Sequence, residues 1–529
     1  MGSTFHVEHF GCRAARADGE AIGDRLRAAG HSIQQPSAAD VVVVNTCSVT
    51  AEADRAARAF IRRAHRLNPD AHIVVTGCYA QREPETLAGL PGVAAVVGNS
   101  HKALAPEIAL NLALGLRSRR DLSPTGPAGV LPATEVLVPV KGTGFSPDIS
   151  PAGLTGVLAP EVRISPPTSH NALAASTLVT IQSLAASSGS SAPIWADDRF
   201  AHSFLEETQL IPGAQTRPNL KIQEGCGNRC TFCVIPETRG PSKSLAAASI
   251  LKQVQGFVAA GGNELVLSGI NLGRWGRDLQ REQQGVRPSL ASLVRHIFSS
   301  TDLPRLRFSS IEPMDWDADL ISLLREFGGG RPGGRLARHA HLPLQSGSDT
   351  VLRRMHRRYR PWHYAEKVAA LVDAAGPDLT LGADVMVGFP GETDREFQQT
   401  FDLVQALPFG YLHLFPFSPR PRTPAWNLHL HSPVPADAVE ERMAALRLLS
   451  AQKSETHRRW FIGRDLPAIT LYSPSALQRI GRTAALTDNF LPVELEGSFP
   501  ANQLVHLHVT GLTPDAVLIA SNFGVSVAH

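Results

Sequence analysis

The sequence predicts an α/β protein with three folded parts: an N-terminal parallel α/β domain, a central partial barrel of six β/α units, and a small C-terminal β-barrel. Three observations carry this prediction. Apolar β-branched runs alternate with helical patterns near the N-terminus, strand and helix patterns repeat six times in 218–458, and 462–529 shows only short alternating runs. Strands that alternate with helices form parallel sheets, whereas short alternating runs between turn residues are typical of barrels.

Length and composition set the domain organisation. The chain has 529 residues, of which 43% are hydrophobic and 19% charged, and its net charge is +3. These values exclude a wholly disordered protein and a small disulfide-built scaffold. We divide the chain into 1–105, 106–217, 218–458 and 459–529. The second segment is rich in Pro, Gly, Ser and Ala, so we expect a linker or insert that is poorly ordered.

Targeting signals are not evident in the sequence. Residues 1–20 contain charges and no apolar core of a signal peptide. The stretch 165–196 lacks charged residues, but Pro, Ser, Asn and His interrupt it, which argues against a membrane span. We therefore expect a monomeric cytoplasmic protein that does not contact a membrane.

Three cysteines follow the apolar runs of the first segment: Cys12, Cys47 and Cys78. The runs and the helical patterns between them occupy 5–11, 40–46, 71–77, 14–29 and 51–67. Because the carboxyl ends of parallel strands meet at one edge of a sheet, we expect the three thiols to lie together and form a potential three-thiolate site. The alternative is three unrelated buried cysteines.

The other three cysteines, Cys226, Cys230 and Cys233, form a C-x3-C-x2-C loop. Thiolates at such spacing can hold an iron–sulfur cluster, and three ligands leave one iron of a four-iron cluster open for a substrate or cofactor. Zinc is the competing interpretation. A structural zinc site closes with a fourth Cys or His, however, and the nearest histidine in the sequence is His202.

The six strand–helix units of 218–458 predict an open parallel barrel. Active sites of barrels lie at the carboxyl ends of the strands, and the C-x3-C-x2-C loop follows the first predicted strand. The predicted strands are 220–223, 264–268, 305–310, 339–344, 379–388 and 410–417, with helices at 350–354, 364–375 and 394–407.

The cysteine loop is the signature of radical S-adenosylmethionine (SAM) enzymes, and together with the three strand-end cysteines it resembles the methylthiotransferases. The resemblance covers 4–105 and 218–525, with matching stretches at 44–50, 75–82, 222–226, 341–348 and 387–392. It implies two 4Fe–4S clusters, an auxiliary one on the first three cysteines and a SAM-binding one on the second three. It also implies radical insertion of a methylthio group at an unactivated carbon.

Within the family, the chain is most similar to the branch that modifies threonylcarbamoyladenosine, through 47–55, 77–82, 354–359 and 413–420. That branch implies tRNA as partner, with C2 of adenosine 37 in the anticodon loop as target, and an electron donor such as flavodoxin or ferredoxin. Methylthiolation of isopentenyladenosine in tRNA or of a ribosomal-protein aspartate is the alternative. Ala15 and Arg16 replace the family's Asn-Gln pair, which leaves a non-catalytic iron–sulfur RNA-binding scaffold as the non-enzyme alternative.

Polar residues after the predicted barrel strands are candidates for holding SAM, and a basic aromatic stretch is the candidate for RNA. The alternative for both groups is a solvated loop or helix face. The SAM candidates are Ser268, Gly269, Asn271, Ser310, Glu312 and Gln345, and the RNA candidates are Arg354, Arg357, Arg358 and Tyr359.

The final segment predicts a small barrel with strands at 468–472, 491–496 and 504–509. It resembles the RNA-binding TRAM module. The alternative is a structural barrel without a ligand.

Overall fold

The computed structural model describes residues 3–120, 135–138, 177–180, 192–200, 203, 210, 217–280, 287–330 and 333–525. The chain forms two compact units, one of Met1–Ala113 with Ala192–His529 and one of Leu114–Ser191. Among these described residues, no helix is both long enough and apolar enough to cross a bilayer.

A parallel sheet forms the N-terminal part of the larger unit, as predicted. Its first strands are β1 (Thr4–His9), β2 (Ser32–Ile33), β3 (Val41–Thr46), β4 (His72–Gly77) and β5 (Val93–Gly98). The helices of this part are α1 (Arg13–Ala28), α2 (Ala51–Leu67), α3 (Cys78–Arg82), α4 (Pro84–Ala88) and α5 (Ala105–Arg120), with a 3₁₀ segment at Asn99–Leu104. Every residue of β3 is buried, which explains its continuous apolar run.

The predicted insert contains described structure at both of its ends. Helix α5 buries Ala105, Ala109 and Ala113, spaced by one helical turn, against the first sheet. In the smaller unit, β6 (Glu135–Val138) pairs antiparallel with β7 (Thr177–Thr180). Strand β8 (Ile194–Trp195) belongs to the larger unit and completes the first sheet in the order β2-β1-β3-β4-β5-β8.

The boundary at 105 and the expected poor order of the insert remain predictions. Most of that segment, including the uncharged stretch, lies outside the described residues.

The central part contains the six predicted strands and one further short strand. The strands are β9 (Asn219–Glu224), β10 (Lys243–Ser244), β11 (Glu264–Gly269), β12 (Arg305–Phe308), β13 (His339–His341), β14 (Thr380–Val387) and β15 (Phe409–Pro416). The helices are α6 (Ile235–Arg239), α7 (Ala247–Ala259), α8 (Leu290–Ser300), α9 (Ala318–Phe327), α10 (Asp349–Arg354), α11 (Pro361–Ala375), α12 (Asp394–Ala406), α13 (Pro424–His431) and α14 (Ala436–Arg459). Two 3₁₀ turns lie at Leu272–Arg274 and Pro313–Asp315.

The six β/α strands form one open, parallel barrel wall. Strands β9, β11 and β12 form one parallel sheet, and β13, β14 and β15 form another. Backbone hydrogen bonds link the segments around β12 and β13: Leu306 in β12 donates to the carbonyl of Arg335, which precedes β13, at 2.8 Å, and Ile311, which follows β12, donates to the carbonyl of His341 in β13 at 3.0 Å. The strand β10, which was not predicted, pairs antiparallel with β9 at the open edge.

Alternation along the strands gives this wall two different faces. In β14, Leu381, Ala383 and Val385 belong to the hydrophobic core that the surrounding helices share. The intervening positions, such as Asp384, face the opposite, inner side of the wall. The inner face is therefore free to carry polar side chains.

The C-terminal segment forms a closed five-stranded barrel, which confirms the predicted fold class. Its elements are β16 (Asp465–Thr470), α15 (Ser475–Arg479), β17 (Arg482–Thr487), β18 (Pro492–Glu496), β19 (Leu504–Leu512) and β20 (Leu518–Val525). The strand order is β16-β17-β18-β20-β19. Three strands were predicted; β17 and β20 were missed because small and polar residues such as Ala484 and Ser521 dilute their apolar pattern.

Candidate active site

The first three cysteines lie where three neighbouring parallel strands end. Cys12 follows β1 and precedes α1, Cys47 follows β3, and Cys78 follows β4 and begins α3. All three are free thiols; Cys47 and Cys78 are buried, and Cys12 is exposed. Gly11 has a φ of +104°, and a Cβ there would collide with the Cys47 side chain. The glycine therefore allows the backbone that precedes Cys12 to lie directly against the Cys47 side chain.

The surroundings of these thiols fit an iron–sulfur cluster, whose irons supply the positive charge that thiolate ligands need. Burial, together with the nearby Cys78 and Cys12, raises the pKa of the Cys47 thiol to about 12. Such thiols stay neutral until a cation compensates their charge. Asn99 Nδ2 donates to Cys78 Sγ at 3.3 Å, and Arg239 Nε donates to the same sulfur at 3.2 Å. Arg239 Nη2 is buried without a hydrogen-bond partner among the described residues.

The second three cysteines lie in the loop between β9 and α6, at the carboxyl end of the first barrel strand. The Cys233 amide donates to Cys230 O at 3.1 Å, which tightens the loop. Gly225 has a φ of +68°, and a Cβ there would meet the carbonyl of Pro241. Burial raises the pKa of Cys226, and it raises the pKa of Cys233 to about 12. As at the first site, these thiols need a cation to ionise.

Hydrogen-bond donors from three parts of the chain reach the sulfurs of this loop. The Asn228 amide donates to Cys226 Sγ at 3.4 Å, and Asn271 Nδ2 lies 3.6 Å from the same sulfur. Arg357 Nη1 donates to Cys230 Sγ at 3.3 Å. Hydrogen bonds to cluster sulfurs tune the reduction potential of iron–sulfur centres. These donors therefore suit a redox-active cluster.

Three of the SAM candidates present buried polar atoms without a partner. Ser268 Oγ, Asn271 Oδ1 and Gln345 Oε1 make no hydrogen bond among the described residues. All three lie at or shortly after the carboxyl ends of barrel strands. Asn271 also lies close to Cys226. Orphaned buried polar atoms at a barrel rim fit a polar ligand with both donors and acceptors, and SAM is one.

The remaining SAM candidates are arranged differently. Gly269 is the last residue of β11 and offers only its backbone. Ser310 Oγ lies 2.6 Å from His341 Nδ1, and Glu312 accepts two hydrogen bonds from Arg357 Nη2 at 2.9 and 2.7 Å. Ser310 and Glu312 thus already have partners inside the protein, and their contact with SAM remains a prediction.

Two of the four RNA candidates lie inside the protein. Tyr359 is fully buried, and its hydroxyl donates to the carbonyls of Pro343 and Leu344 at 2.7 Å. Arg357 is buried beside the cysteine loop, so neither side chain offers the surface for which it was chosen. The basic and aromatic pattern predicted an exposed helix face. In the structure, α10 ends at Arg354, and the Arg357 and Tyr359 side chains that follow it point into the protein interior.

The other two RNA candidates are half-exposed. Arg354 pairs with Glu396 at 2.9 Å, and Arg358 lies 3.6 Å from Asp315. Their contact with RNA remains a prediction.

A fully buried charge network connects the two cysteine sites. Lys102 contacts Asp18 at 2.6 Å and Glu224 at 3.3 Å, and Lys221 contacts both carboxylates. Arg239 Nη1 contacts Glu224 at 2.8 Å and Asp18 at 3.2 Å. Burial alone would raise the pKa of Asp18, but the three cations outweigh it and hold that pKa below its usual range.

This network was not predicted from the sequence. Arg239 lies shortly after the cysteine loop, which is a weak signal, whereas Asp18 and Lys102 look like ordinary helix residues. Arg239 reaches from the network to Cys78, and Glu224 precedes the loop that carries Cys226. The network therefore holds the two sites in a fixed relation.

An open parallel barrel with three cysteines after its first strand defines a radical SAM enzyme. Residues 220–404 match the Radical SAM superfamily, and residues 4–98 match a family described as Uncharacterized protein family UPF0004. The chain belongs to the radical SAM methylthiotransferase family, which confirms the resemblance. Membership implies that this enzyme uses SAM and a 4Fe–4S cluster.

Curated relatives match nearly the whole chain. Threonylcarbamoyladenosine tRNA methylthiotransferase MtaB of Bacillus subtilis is 30% identical over 496 residues, covering 93% of this chain and 90% of the relative. The protein of that name from Treponema pallidum is 30% identical over 522 residues, with coverages of 97% and 99%. The tRNA-2-methylthio-N(6)-dimethylallyladenosine synthase of Acidothermus cellulolyticus is 29% identical, with coverages of 98% and 85%.

Proposed function

We propose that this enzyme inserts a methylthio group at C2 of N6-threonylcarbamoyladenosine 37 in tRNA. The observation that carries the proposal is the nearly full-length similarity, at 30% identity, to relatives whose names state this nucleoside. The two three-cysteine sites in one compact unit support it, because the reaction needs one centre for radical formation and one for sulfur.

The proposal assigns a cofactor to each group of residues. Cys226, Cys230 and Cys233 hold the cluster that binds SAM, and Cys12, Cys47 and Cys78 hold an auxiliary cluster. When bound, these groups supply the radical, the sulfur and the methyl group. Ser268, Gly269, Asn271, Ser310, Glu312 and Gln345 line the rim that receives SAM.

The protein's own residues orient these groups and set their charge. Arg357 places a permanent positive charge beside Cys230, and Arg239 does the same beside Cys78. A cation that donates to a ligand sulfur stabilises the reduced form of a cluster.

Several partners follow from the proposed reaction. The C-terminal barrel, with Arg354 and Arg358, supplies contacts to tRNA phosphates or unstacked bases. An external one-electron donor of the flavodoxin or ferredoxin class reduces the cluster. The enzyme acts as a cytoplasmic monomer.

The nucleoside content of tRNA tests the substrate. In a strain that lacks this gene, 2-methylthio-N6-threonylcarbamoyladenosine should disappear from hydrolysed tRNA while N6-threonylcarbamoyladenosine accumulates, as measured by mass spectrometry. Re-expression of the wild-type chain should restore the product, and the Cys226→Ala, Cys230→Ala, Cys233→Ala variant should not. Loss of the methylthiolated dimethylallyl nucleoside instead would favour the second candidate, which the 29% identical Acidothermus relative suggests.

Iron content tests the two-cluster assignment. The reconstituted enzyme should contain about eight irons per chain, because each three-cysteine site holds one four-iron cluster. Replacing Cys226, Cys230 and Cys233 together by alanine should leave about four, as measured by iron analysis and electron paramagnetic resonance. A wild-type content of about four irons would contradict the auxiliary cluster.

A further inference from the structure

A cluster of two histidines and one aspartate lies on the inner face of the barrel wall. His341 ends β13, Asp384 lies within β14 and His413 lies within β15. In the parallel register His341 is paired with Gly382, and Asp384 is paired with His413. The three side chains therefore converge from three adjacent strands. Nothing in the methylthiotransferase reaction described above uses them.

The spacing of their ligand atoms suits a single small cation. His341 Nε2 lies 3.4 Å from Asp384 Oδ1, and His413 Nδ1 lies 3.3 Å from the same oxygen. The ligand atoms of all three residues lie within 4.8 Å of one another. Bonds of ~2.0–2.1 Å to a tetrahedral zinc ion place neighbouring ligand atoms about 3.3 Å apart. His413 Nδ1 and Asp384 Oδ1 form a long hydrogen bond in the absence of an ion, and both separations from this oxygen match the spacing of neighbouring ligands around a tetrahedral ion.

The orientation of His341 provides a second, independent observation. Its ring is buried, and Ser310 Oγ lies 2.6 Å from its Nδ1, which leaves Nε2 directed at Asp384. Among the residues that the structure describes, His341 Nε2 is buried without a hydrogen-bond partner. A histidine ligand held through its other ring nitrogen is the usual arrangement at protein metal sites.

Charge also favours a cation at this place. Within the described part of the chain, the ion pairs of Asp384 are with His341 and His413 alone, and no Lys or Arg contacts it. Tyr411 stacks on His341 at 5.9 Å and packs against His413 at 5.2 Å, which holds both rings in place. A carboxylate flanked by two imidazoles on a rigid wall is a preformed nitrogen–oxygen donor set.

We propose that His341, Asp384 and His413 bind one divalent transition-metal ion of the zinc class, separate from the iron of the six cysteines. Three protein ligands leave at least one coordination position open, and the 62% exposure of the His413 side chain leaves the cluster accessible to a further ligand. The open position takes an oxygen ligand. If the proposed function is right, the carboxylate of the threonylcarbamoyl group is the ligand of matching chemistry.

Zinc retention by the reconstituted holoenzyme tests the site without depending on the substrate. With all six cysteines occupied by iron, the enzyme is incubated with Zn²⁺, desalted anaerobically and analysed by mass spectrometry of its metals. We expect about one zinc per chain in the wild type and less than about 0.2 in His413→Ala and His341→Ala. Iron content should stay unchanged in both variants.

A control variant and the exposure of His413 decide the interpretation. His508→Ala is the matched control, because His508 contacts Asp465 at 2.7 Å but belongs to no three-ligand cluster among the described residues, and it should retain zinc as the wild type does. His413 is largely exposed, so its replacement tests the site without disturbing the core. Zinc that is absent from the wild type, or retained equally by His413→Ala, would overturn the proposal. Neither result would bear on the nucleoside measurement.

Discussion

Replacing Cys12, Cys47 and Cys78 together by alanine should abolish methylthiolated product while SAM cleavage continues. We expect product to fall by more than about a hundredfold, since loss of a ligand set exceeds the effect of losing an outer-shell contact. Radical formation needs only the cluster on the barrel loop and an electron. That loop follows β9, whereas the three replaced cysteines end strands of the other sheet. The measurement is 5′-deoxyadenosine and methylthiolated nucleoside from the same reaction.

The barrel-loop variant is the matched control for this experiment. Replacing Cys226, Cys230 and Cys233 should eliminate both 5′-deoxyadenosine and the methylthiolated nucleoside. Circular dichroism and the remaining iron, about half of the wild-type content, should first show that the N-terminal variant is folded, because a cluster can also be structural. Methylthiolated nucleoside at the wild-type level from that variant would show that the auxiliary role is wrong.

The cysteine sites could be predicted from the sequence because two simple rules act on local patterns. Cys12, Cys47 and Cys78 each follow an apolar run, and parallel strands bring their carboxyl ends to one edge. The C-x3-C-x2-C loop is local by itself. Helix α2 was predicted with its observed bounds, Ala51–Leu67, from its helical pattern, and the structure shows that the Thr50 side chain caps it by accepting from the Ala53 amide.

Side chains that meet only through the tertiary fold could not be predicted in the same way. His341, Asp384 and His413 belong to three strands separated by helices, and each alone looks like an ordinary strand residue. Arg357 and Tyr359 were wrongly predicted to lie on the surface, because a local pattern was taken as evidence of exposure. A run of basic and aromatic residues resembles an exposed face, whereas Arg357 here points at Cys230 and Glu312.

The buried charge network has the composition expected of a support for an anionic metal site. It contains three cations, Lys102, Lys221 and Arg239, and two carboxylates, Asp18 and Glu224. The network therefore carries one more positive than negative charge, and Arg239 reaches from it to the sulfur of Cys78 through its Nε. A negatively charged thiolate of Cys78, bound to a cluster, would balance this additional positive charge. Removing one carboxylate therefore leaves buried cations without compensation.

The Asp18→Asn variant should accordingly be strongly destabilised. We expect its free energy of unfolding to fall by about 3–5 kcal/mol, the usual consequence of leaving a buried charge unpaired, because Asn keeps the size of Asp18 but not its charge. The measurement is the urea midpoint of the anaerobically reconstituted enzyme. Glu455→Gln is the control, since Glu455 forms an exposed pair with Arg459 at 2.6 Å and should change stability by less than about 0.5 kcal/mol. Equal midpoints for Asp18→Asn and Glu455→Gln would mean that the buried network contributes no more than a surface ion pair.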